Sequence, residues 1–422
     1  MRRGTNLPAV GGYNRSVVLD AVRREAAGLS RTEIAERTGL SPQAVTNVSR
    51  RLLDAGLIRE SGTVISGPGK PRTMLQLEPG GSFALGVHVD PAVVTYVLLD
   101  LHGTVVAHAQ TPTPSASRPD EVVGLIARTV DGLVADSGVD RARLLGIGIA
   151  APGPIDVEDG VVLDPPMLPR WRHVPLRRAI AEATGLPVLL EKDVAAAAVA
   201  ELWFSDGASR RDFAFVYYGT GFGTGLVIGR DVVRGSSSNA GDSGHVTVAS
   251  SGRRCTCGRI GCVGELITPH ALVRQAVEAG VLTADDLRVD VLDAARSEGD
   301  PDDLHRIEEA LVALAGKAAD GDEGALEILH EAARHLARAV VVVLNLLDLA
   351  EVVFGGPFWH VVAPWVLQVL PEAVRSSAAL IAKHPIALEQ SAIGTDVAAV
   401  GAACLVLDHA FSPRPSALLI SA

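Results

Sequence analysis

Three of the four cysteines in this chain, Cys255, Cys257 and Cys262, lie together in one glycine-rich stretch, and His245 precedes them. The short spacing of the first two cysteines lets a tight bend present both thiolates to one ion. The glycines that follow let the chain turn back, so that Cys262 and His245 can complete a tetrahedron. The spacing therefore predicts a closed, structural Zn²⁺ site with no position left for water.

Two other interpretations of these cysteines stay open but are less favoured. Reduced thiols buried in a core would need an apolar segment, whereas Arg253, Arg254 and Arg259 make this one polar. A disulfide would leave one thiol of the three unpaired and fits a cytosolic chain poorly. The fourth cysteine, Cys404, stands in the apolar run GAACLVL and is assigned to the core.

The charge of the chain is distributed unevenly along its length. The 422 residues carry a formal net charge of −11, yet residues 1–72 contain twelve Lys and Arg against six Asp and Glu. The basic end predicts a DNA-reading unit on an acidic body with a different role, and the length allows two or three domains.

The longest apolar run, residues 336–347, is shorter than a membrane span and is interrupted by Arg338 and Asn345. It predicts a buried helix, with a subunit contact as an alternative role. The first residues lack the apolar core of a signal peptide. We therefore expect a cytoplasmic protein with no membrane partner.

The basic end has the helix-capping and turn signals of a winged helix-turn-helix over residues 1–78. A first helix is predicted over residues 14–27, and Ser30 with Glu33 forms the capping box of a second. Ser41, followed by Pro42, is the N-cap of a third helix. Residues 57–60 and 74–77 are predicted as the two strands of the wing.

The third helix carries a polar stripe opposite its apolar one, with Gln43, Thr46, Asn47 and Arg50 at helical spacing. A merely solvated face is the alternative, but the capped helices and the basic wing favour binding to a double-stranded DNA operator. The predicted DNA contacts are Ser41, Gln43, Thr46, Asn47, Arg50, Arg51, Lys70 and Arg72.

Strands and helices alternate beyond residue 79, and the motif of strand, glycine-rich turn and strand occurs twice. Its second copy, residues 213–229, contains glycines at 219–225 that would let backbone N–H groups approach phosphate. Glycines that only supply positive φ in a hairpin are the alternative. Two such halves outline an actin-like, sugar kinase-like α/β fold with a cleft between two lobes.

Four motifs in this body resemble those of the ROK (repressor, open reading frame, kinase) family, and in particular its repressor branch. AGDSGH followed by CTCGRIGC resembles the zinc signature, YYGTGFGTGLVIG the second phosphate loop, APGPID the sugar loop and VVFGGP the adenosine-side motif. The resemblance implies a homodimer or homotetramer whose sugar-type effector changes its affinity for DNA.

The same comparison argues against catalysis. Asp193 corresponds to the family's general base, but Lys192 replaces the sugar-binding asparagine before it. The first phosphate loop is replaced by residues 88–92, HVDPA, where Pro91 removes a backbone donor. We therefore predict no enzyme and a vestigial Asp193. An ATP-dependent sugar kinase with an accessory DNA-binding head is the alternative function.

The sugar pocket is also altered, since Asp242 and Gly264 stand where the family has glutamates. Lys192 would add a cation, which favours an anionic ligand such as a phosphorylated sugar or a sugar acid, although a salt bridge to Glu191 or another neighbour explains it equally well. A body that binds no ligand is the third possibility. The predicted ligand-binding residues are Gly153, Lys192, Asp193, Asp242, His245 and Glu265.

The expected domains are a head at residues 1–78, a small lobe at 79–205 completed by about 393–422, and a large lobe with the zinc site at 206–392. The acidic segment 297–322 is expected to be a solvated helical insertion. The predicted function is a transcriptional regulator, of the repressor type, for carbohydrate-related genes.

Overall fold

The computed structural model describes residues 7–64, 71–113, 118–165, 168, 170–205, 210–283 and 301–412. At residues 7–11 and 301–306 the description covers the backbone only. Among these residues, two five-stranded sheets form the body and a three-stranded sheet belongs to the head.

The head consists of three helices and a small antiparallel sheet. Its helices are α1 (Leu7–Arg23), α2 (Arg31–Thr38) and α3 (Pro42–Asp54), and its strands are β1 (Leu29–Ser30), β2 (Ile58–Val64) and β3 (Arg72–Leu77). The strand order is β1-β3-β2.

The predicted caps of the head are present. Ser30 and Glu33 form a complete capping box, and Gly39 ends α2 with a φ of 69°. The predicted bounds of the first helix are wrong, however, because α1 ends at Arg23. The chain must leave the helix early because Leu29 pairs with Leu75 in the sheet.

The first body sheet has the order β10-β7-β4-β5-β6. Its strands are β4 (Phe83–Val89), β5 (Val93–Leu99), β6 (Val105–Pro112), β7 (Leu144–Ala151) and β10 (Val188–Lys192), and a separate hairpin joins β8 (Ile155–Asp156) to β9 (Val161–Val162). Three of its helices are α4 (Pro119–Ser137), α5 (Leu176–Thr184) and α6 (Asp193–Phe204).

The second body sheet has the order β13-β12-β11-β14-β15. Its strands are β11 (Phe213–Tyr218), β12 (Phe222–Ile228), β13 (Asp231–Val232), β14 (Glu351–Gly355) and β15 (Ala387–Gln390). The helices around it are α7 (Gly264–Ile267), α8 (Pro269–Glu278), α9 (Pro301–Ala319), α10 (Glu323–Leu347) and α11 (Trp359–Arg375).

The last helix, α12 (Val397–Phe411), returns to the first body sheet and packs against β4, β7 and α6. Small residues make this approach close: a Cβ on Gly401 would lie 1.8 Å from the Ala196 carbonyl oxygen. Helices α6 and α12 therefore form one closely packed layer, because their backbones are in direct contact.

The expectation of a solvated insertion is wrong for the part of residues 297–322 that the structure describes. Ala310, Leu311 and Leu314 of α9 are fully buried in the core of the second body unit. Glu308 is half-buried and Glu309 exposed on the same helix, so the charge of the segment hid an amphipathic pattern.

The apolar run at residues 336–347 forms the last turns of α10, as expected. Leu336, Val340 and Leu344 of this helix are buried. Within the described ranges, none of the helices has both the length and the apolar character to cross a membrane.

The glycine-rich turn of the second body sheet is shorter than the predicted turn at residues 219–225. Strand β12 begins at Phe222, so only residues 219–221 form the turn. Gly225 lies inside the strand, where a Cβ would come within 2.3 Å of the Val194 carbonyl oxygen of α6. This glycine serves close packing rather than phosphate.

Candidate DNA-binding and effector sites

Helix α3 presents the predicted recognition face to solvent. Ser41 caps the helix, its Oγ accepting the N–H of Ala44 at 3.2 Å. Val45, Val48 and Leu52 anchor the opposite face in the head's core. The exposed side chains of the helix include Gln43, Thr46, Arg50 and Arg51, and Asn47 is half-buried.

The polar side chains on this face are already connected to one another. Asn47 Oδ1 accepts from Gln43 Nε2 at 3.5 Å and from Arg50 Nη2 at 3.4 Å. Such long, exposed bonds exchange readily for bonds to base edges or phosphates. In the wing, Arg72 is exposed at the start of β3, whereas Lys70 lies outside the described residues.

Residues 88–92, which the family resemblance aligns with the first phosphate loop, contact the second body sheet. Asp90 is buried there and accepts the hydroxyl of Thr220, with its Oδ2 at 3.0 Å. Thr220 belongs to the glycine turn of the second sheet, so this bond joins the two lobes. Burial raises the pKa of Asp90 to about 6, against the opposing effect of its hydrogen bonds.

A second contact crosses the cleft beside it. His88 of β4 and Tyr217 of β11 meet edge to face with ring centroids 6.2 Å apart, and His88 Nε2 lies 3.5 Å from the tyrosine hydroxyl. Burial lowers the pKa of this histidine, which favours the neutral ring. The turn that follows β4 is thus attached to the second body sheet through both Asp90 and His88.

Lys192 and Asp193 lie at the junction of β10 and α6, at the cleft end of the helix. Lys192 is only 5% exposed, and its Nζ donates to the carbonyl oxygen of Asn239 at 3.3 Å. Asp193 accepts its neighbour's N–H, that of Val194, at 2.7 Å. Burial raises the pKa of Asp193, although His88 and Lys192 oppose the rise.

Asn239 is a site residue that the sequence analysis missed. Its Oδ1 accepts the N–H of Ile155 and its Nδ2 donates to the carbonyl of Ile155, both at 2.8 Å. This pair of bonds attaches the loop that contains Gly153 to the loop that precedes the zinc ligands. The only available signal was position, since Asn239 directly precedes the AGDSGH motif.

The remaining predicted ligand residues are less closely associated with the cleft. Asp242 is exposed. Glu265 is the second residue of the short helix α7, and its carboxylate lies 3.9 Å from Arg274 Nη1. The structure therefore brings Gly153, Lys192 and Asn239 together but directs Glu265 towards an arginine.

The four predicted metal ligands converge. His245 Nδ1 lies 3.3 Å from Cys255 Sγ, and the sulfurs of Cys257 and Cys262 are 3.5 Å apart. All four donor atoms lie within 4.8 Å of one another. Donors at about 2.0–2.3 Å from a tetrahedral zinc are roughly 3.3–3.8 Å apart, so the donor set suits this ion and these two pairs already have the required separation.

The segment that bears these ligands is attached directly to the cleft loops. Val263 N donates to Val246 O, and Gly264 N donates to Gly244 O, each at 2.9 Å. A metal held here would therefore fix the loop that follows Asn239.

Residues 85–409 match the ROK family, and residues 18–59 match the family of winged helix-turn-helix DNA-binding domains. The chain belongs to the ROK family. The resemblance inferred from the sequence motifs is thereby confirmed.

Several relatives in the ROK family carry names of regulators. The putative xylose repressor of Caldicellulosiruptor sp. strain Rt8B.4 is 27% identical over 256 residues, which cover 60% of this chain and 64% of that protein. The DNA-binding transcriptional dual regulator NagC of Escherichia coli K12 is 26% identical over 334 residues, covering 78% of this chain and 76% of that protein.

Solved ROK structures confirm the predicted fold class. A ROK family transcriptional regulator, described as a homolog of the Escherichia coli MLC protein, superposes with a TM-score of 0.72 at 23% identity. The superposition covers 96% of this chain and 98% of that one. A ROK glucokinase from Streptomyces griseus gives a TM-score of 0.62 at 25% identity, covering 77% and 99%.

In this ROK chain the head is attached to the body at the far end of α6. The Arg23 guanidinium lies 4.0 Å from the ring centroid of Trp203, and its Nη1 donates to the Trp203 carbonyl at 3.4 Å. Leu19 of the head and Phe411 of α12 are buried in the same apolar cluster. No periodicity in the sequence indicated this contact.

Proposed function

We propose that this protein is a sugar-responsive transcriptional repressor. The observation that carries the proposal is the capped helix α3, whose polar and basic face is exposed on a head joined to a ROK body. The named relatives are a xylose repressor and a regulator, NagC, which support control of carbohydrate-related genes. Double-stranded operator DNA is the proposed partner of residues 41–51, Lys70 and Arg72.

Helix α6 offers a physical route from ligand to DNA. It begins at Asp193 in the cleft and ends beneath the head at residues 203–204, about 18 Å away for twelve residues. A ligand that prefers one arrangement of the lobes would move α6 with α12 and thereby the head. Paired heads of a homodimer or homotetramer would then fit their half-sites differently.

We propose binding without phosphoryl transfer in the cleft. Phosphoryl transfer needs backbone donors and cations around the γ-phosphate. Here Pro91 has no N–H, and the Asp90 carboxylate already accepts the hydroxyl of Thr220. Without a bound phosphoryl donor, a sugar hydroxyl beside Asp193 would have no phosphoryl group to attack, so Asp193 would have no catalytic role.

For the metal centre, His245, Cys255, Cys257 and Cys262 would hold a structural Zn²⁺. The ion would supply a crosslink between the stretch before α7 and the loop at residues 239–246, with no catalytic role.

The test begins by mapping the genomic sites that the full-length protein occupies and measuring its affinity for one of them. A panel of neutral and acidic sugars is then added. The proposal expects tight operator binding that at least one sugar weakens by tenfold or more, roughly 1.4 kcal/mol. Tight binding that no sugar alters would indicate a ligand-independent DNA-binding protein instead.

The alternative, a sugar kinase with an accessory head, is tested separately by coupled ATP turnover across the same panel. We expect no turnover above the background of an Asp193→Asn variant. Turnover that this variant abolishes would establish the kinase and overturn our assignment.

A further inference from the structure

The buried ammonium of Lys192 makes fewer hydrogen bonds than a buried charged group normally does. The residue is 5% exposed, and its Nζ makes one hydrogen bond, at 3.3 Å, to the carbonyl oxygen of Asn239. Across the described ranges, no carboxylate oxygen approaches this nitrogen within the 4.0 Å of an ion pair. An ammonium has three donors, so two of them find no strong acceptor here.

The carboxylates beside Lys192 in sequence are engaged elsewhere. Glu191 Oε2 binds Arg234 Nε at 2.6 Å, and its Oε1 accepts the backbone N–H of Lys192 at 3.1 Å. Asp193 turns back to its neighbour's N–H. The salt bridge to Glu191 that the sequence left open is therefore absent. Among the described residues no carboxylate lies within ion-pair distance of the buried ammonium, and Asp193 interacts with it only from farther away.

The ammonium faces the loop that the family resemblance assigns to the sugar. A Cβ placed on Gly153 would lie 2.8 Å from Lys192 Cε and 3.3 Å from its Nζ. Lys192 also stands at the N-cap of α6, whose first N–H groups add partial positive charge at the same point. A cation and a helix N-terminus thus converge on one side of the cleft.

We infer that Lys192 selects an acidic sugar by acting as the counter-ion of its carboxylate. The inference rests on the proposed function and specifies its ligand. A singly charged carboxylate is favoured over a phosphate because two acidic residues lie near the ammonium. Asp193 follows Lys192 directly, and Asp90 lies close enough to Asp193 to interact with its carboxyl group. A second negative charge on the ligand would be repelled by these carboxyl groups.

The first test compares ligands that share one carbon skeleton. Calorimetry with the full-length protein would use glucose, glucuronate, gluconate and glucose 6-phosphate, with xylose and N-acetylglucosamine as further neutral sugars. We expect glucuronate or gluconate to bind about tenfold or more tightly than glucose. In Lys192→Met this preference should disappear, whereas in Lys383→Met, which removes an exposed lysine of the body, it should remain.

Three results of this test would overturn the inference. These are neutral sugars that bind as tightly as the acids, glucose 6-phosphate that binds more tightly than either carboxylate, and acids that fail to bind at millimolar concentration.

The second test needs no ligand. A lysine held for a ligand destabilises the free protein, so Lys192→Met should raise the midpoint of thermal unfolding. A lysine that stabilises the fold would give the opposite shift, and a lowered midpoint would contradict the inference. Operator binding by the same preparations distinguishes failure of the proposed function from failure of this inference. A protein that binds its operator and releases it on addition of a neutral sugar would keep the proposed function, but it would refute the role of Lys192 in selecting an acidic sugar.

Discussion

Arg23 of the DNA-binding head stacks on Trp203 of the body, with its guanidinium 4.0 Å from the indole centroid. The buried indole Nε1 has no hydrogen-bond partner among the described residues. Arg23 itself binds Asp20 Oδ1 at 3.0 Å, so one arginine holds both α1 and the end of α6. Trp203 lies in the last turn of α6, so a movement of this helix would displace the head through the contact with Arg23.

Replacement of Arg23 by methionine should uncouple the ligand from the operator. Methionine retains the apolar stem but loses the cation–π contact, worth about 0.5–2 kcal/mol. We expect the ratio of operator affinities without and with the effector sugar to fall by roughly two- to tenfold. Fluorescence anisotropy with a labelled operator measures this ratio.

Arg24→Met is the matched control. Arg24 also binds Asp20, through Nε to Oδ2 at 2.8 Å, but its side chain is 37% exposed against 14% for Arg23. It should leave the ratio unchanged. An Arg23→Met protein that responds to sugar as the natural one does would remove this contact from the route.

Loss of the Arg50 side chain should weaken operator binding without unfolding the head. Arg50 is exposed on α3 and contacts only Asn47 in the described structure, through a 3.4 Å bond. Arg50→Ala should lower affinity by about 1–3 kcal/mol if it reads a base. If it binds phosphate, the salt dependence of binding should fall by about one unit of slope.

Arg37→Ala serves as the control for the head, because Arg37 on α2 pairs with Glu25 away from the recognition face. Both variants should unfold at the temperature of the natural protein. Equal operator affinity of Arg50→Ala and Arg37→Ala would exclude α3 as the recognition helix.

Removal of one metal ligand should release zinc and destabilise the body. Cys257 is exposed, so Cys257→Ser introduces little steric strain. Structural zinc contributes about 10–16 kcal/mol to the folding of small peptides, and we expect a loss of a few kcal/mol in this larger framework. Metal content by mass spectrometry and thermal unfolding give the two readouts.

Cys404→Ala is the control thiol, since Cys404 is buried in α12 away from the metal site. It should keep its zinc while losing some packing. Retention of one zinc per chain by Cys257→Ser would show that this thiolate is not a ligand.

The raised pKa of Asp90 makes stability depend on pH. Since the folded-state pKa is about 6 and the reference value is 3.8, the folded protein binds more protons than the unfolded chain between these values. The contribution of Asp90 to stability therefore decreases as pH rises from about 4 to 6 and remains low above it. The lowered pKa of His88 acts in the opposite direction, so the wild-type curve alone does not isolate Asp90.

Asp90→Asn isolates this contribution, because the amide oxygen can still accept from Ala92 N and Thr220 Oγ1. We expect the variant to be more stable than the natural protein at pH 7.5 by on the order of 1–3 kcal/mol. The difference should shrink below pH 4. Denaturant unfolding across this range measures it, with the exposed Asp242→Asn as a control, and a pH-independent difference would contradict the assigned ionisation.

Features that depend on residues close together in the sequence could be predicted, whereas features that depend on distant residues could not. Ser30, Glu33, Gly39 and Ser41 act on backbone groups within a few residues, so their caps follow from sequence spacing. The same holds for the zinc ligands, which one short stretch brings together. The acidic segment of α9 was predicted wrongly because its partners, in α8 and α10, lie elsewhere in the chain.

The sequence by itself determined the caps of the head, the cluster of one histidine and three cysteines and the order of strands and helices, since each depends on neighbours along the chain. Only the tertiary structure decided that Asn239 binds the Ile155 peptide, that Lys192 is buried without a close carboxylate, and that Arg23 stacks on Trp203. The partners of Asn239 and Arg23 are separated by 84 and 180 residues. Which distant residues meet is set by how the sheets and helices pack, and no local periodicity records it.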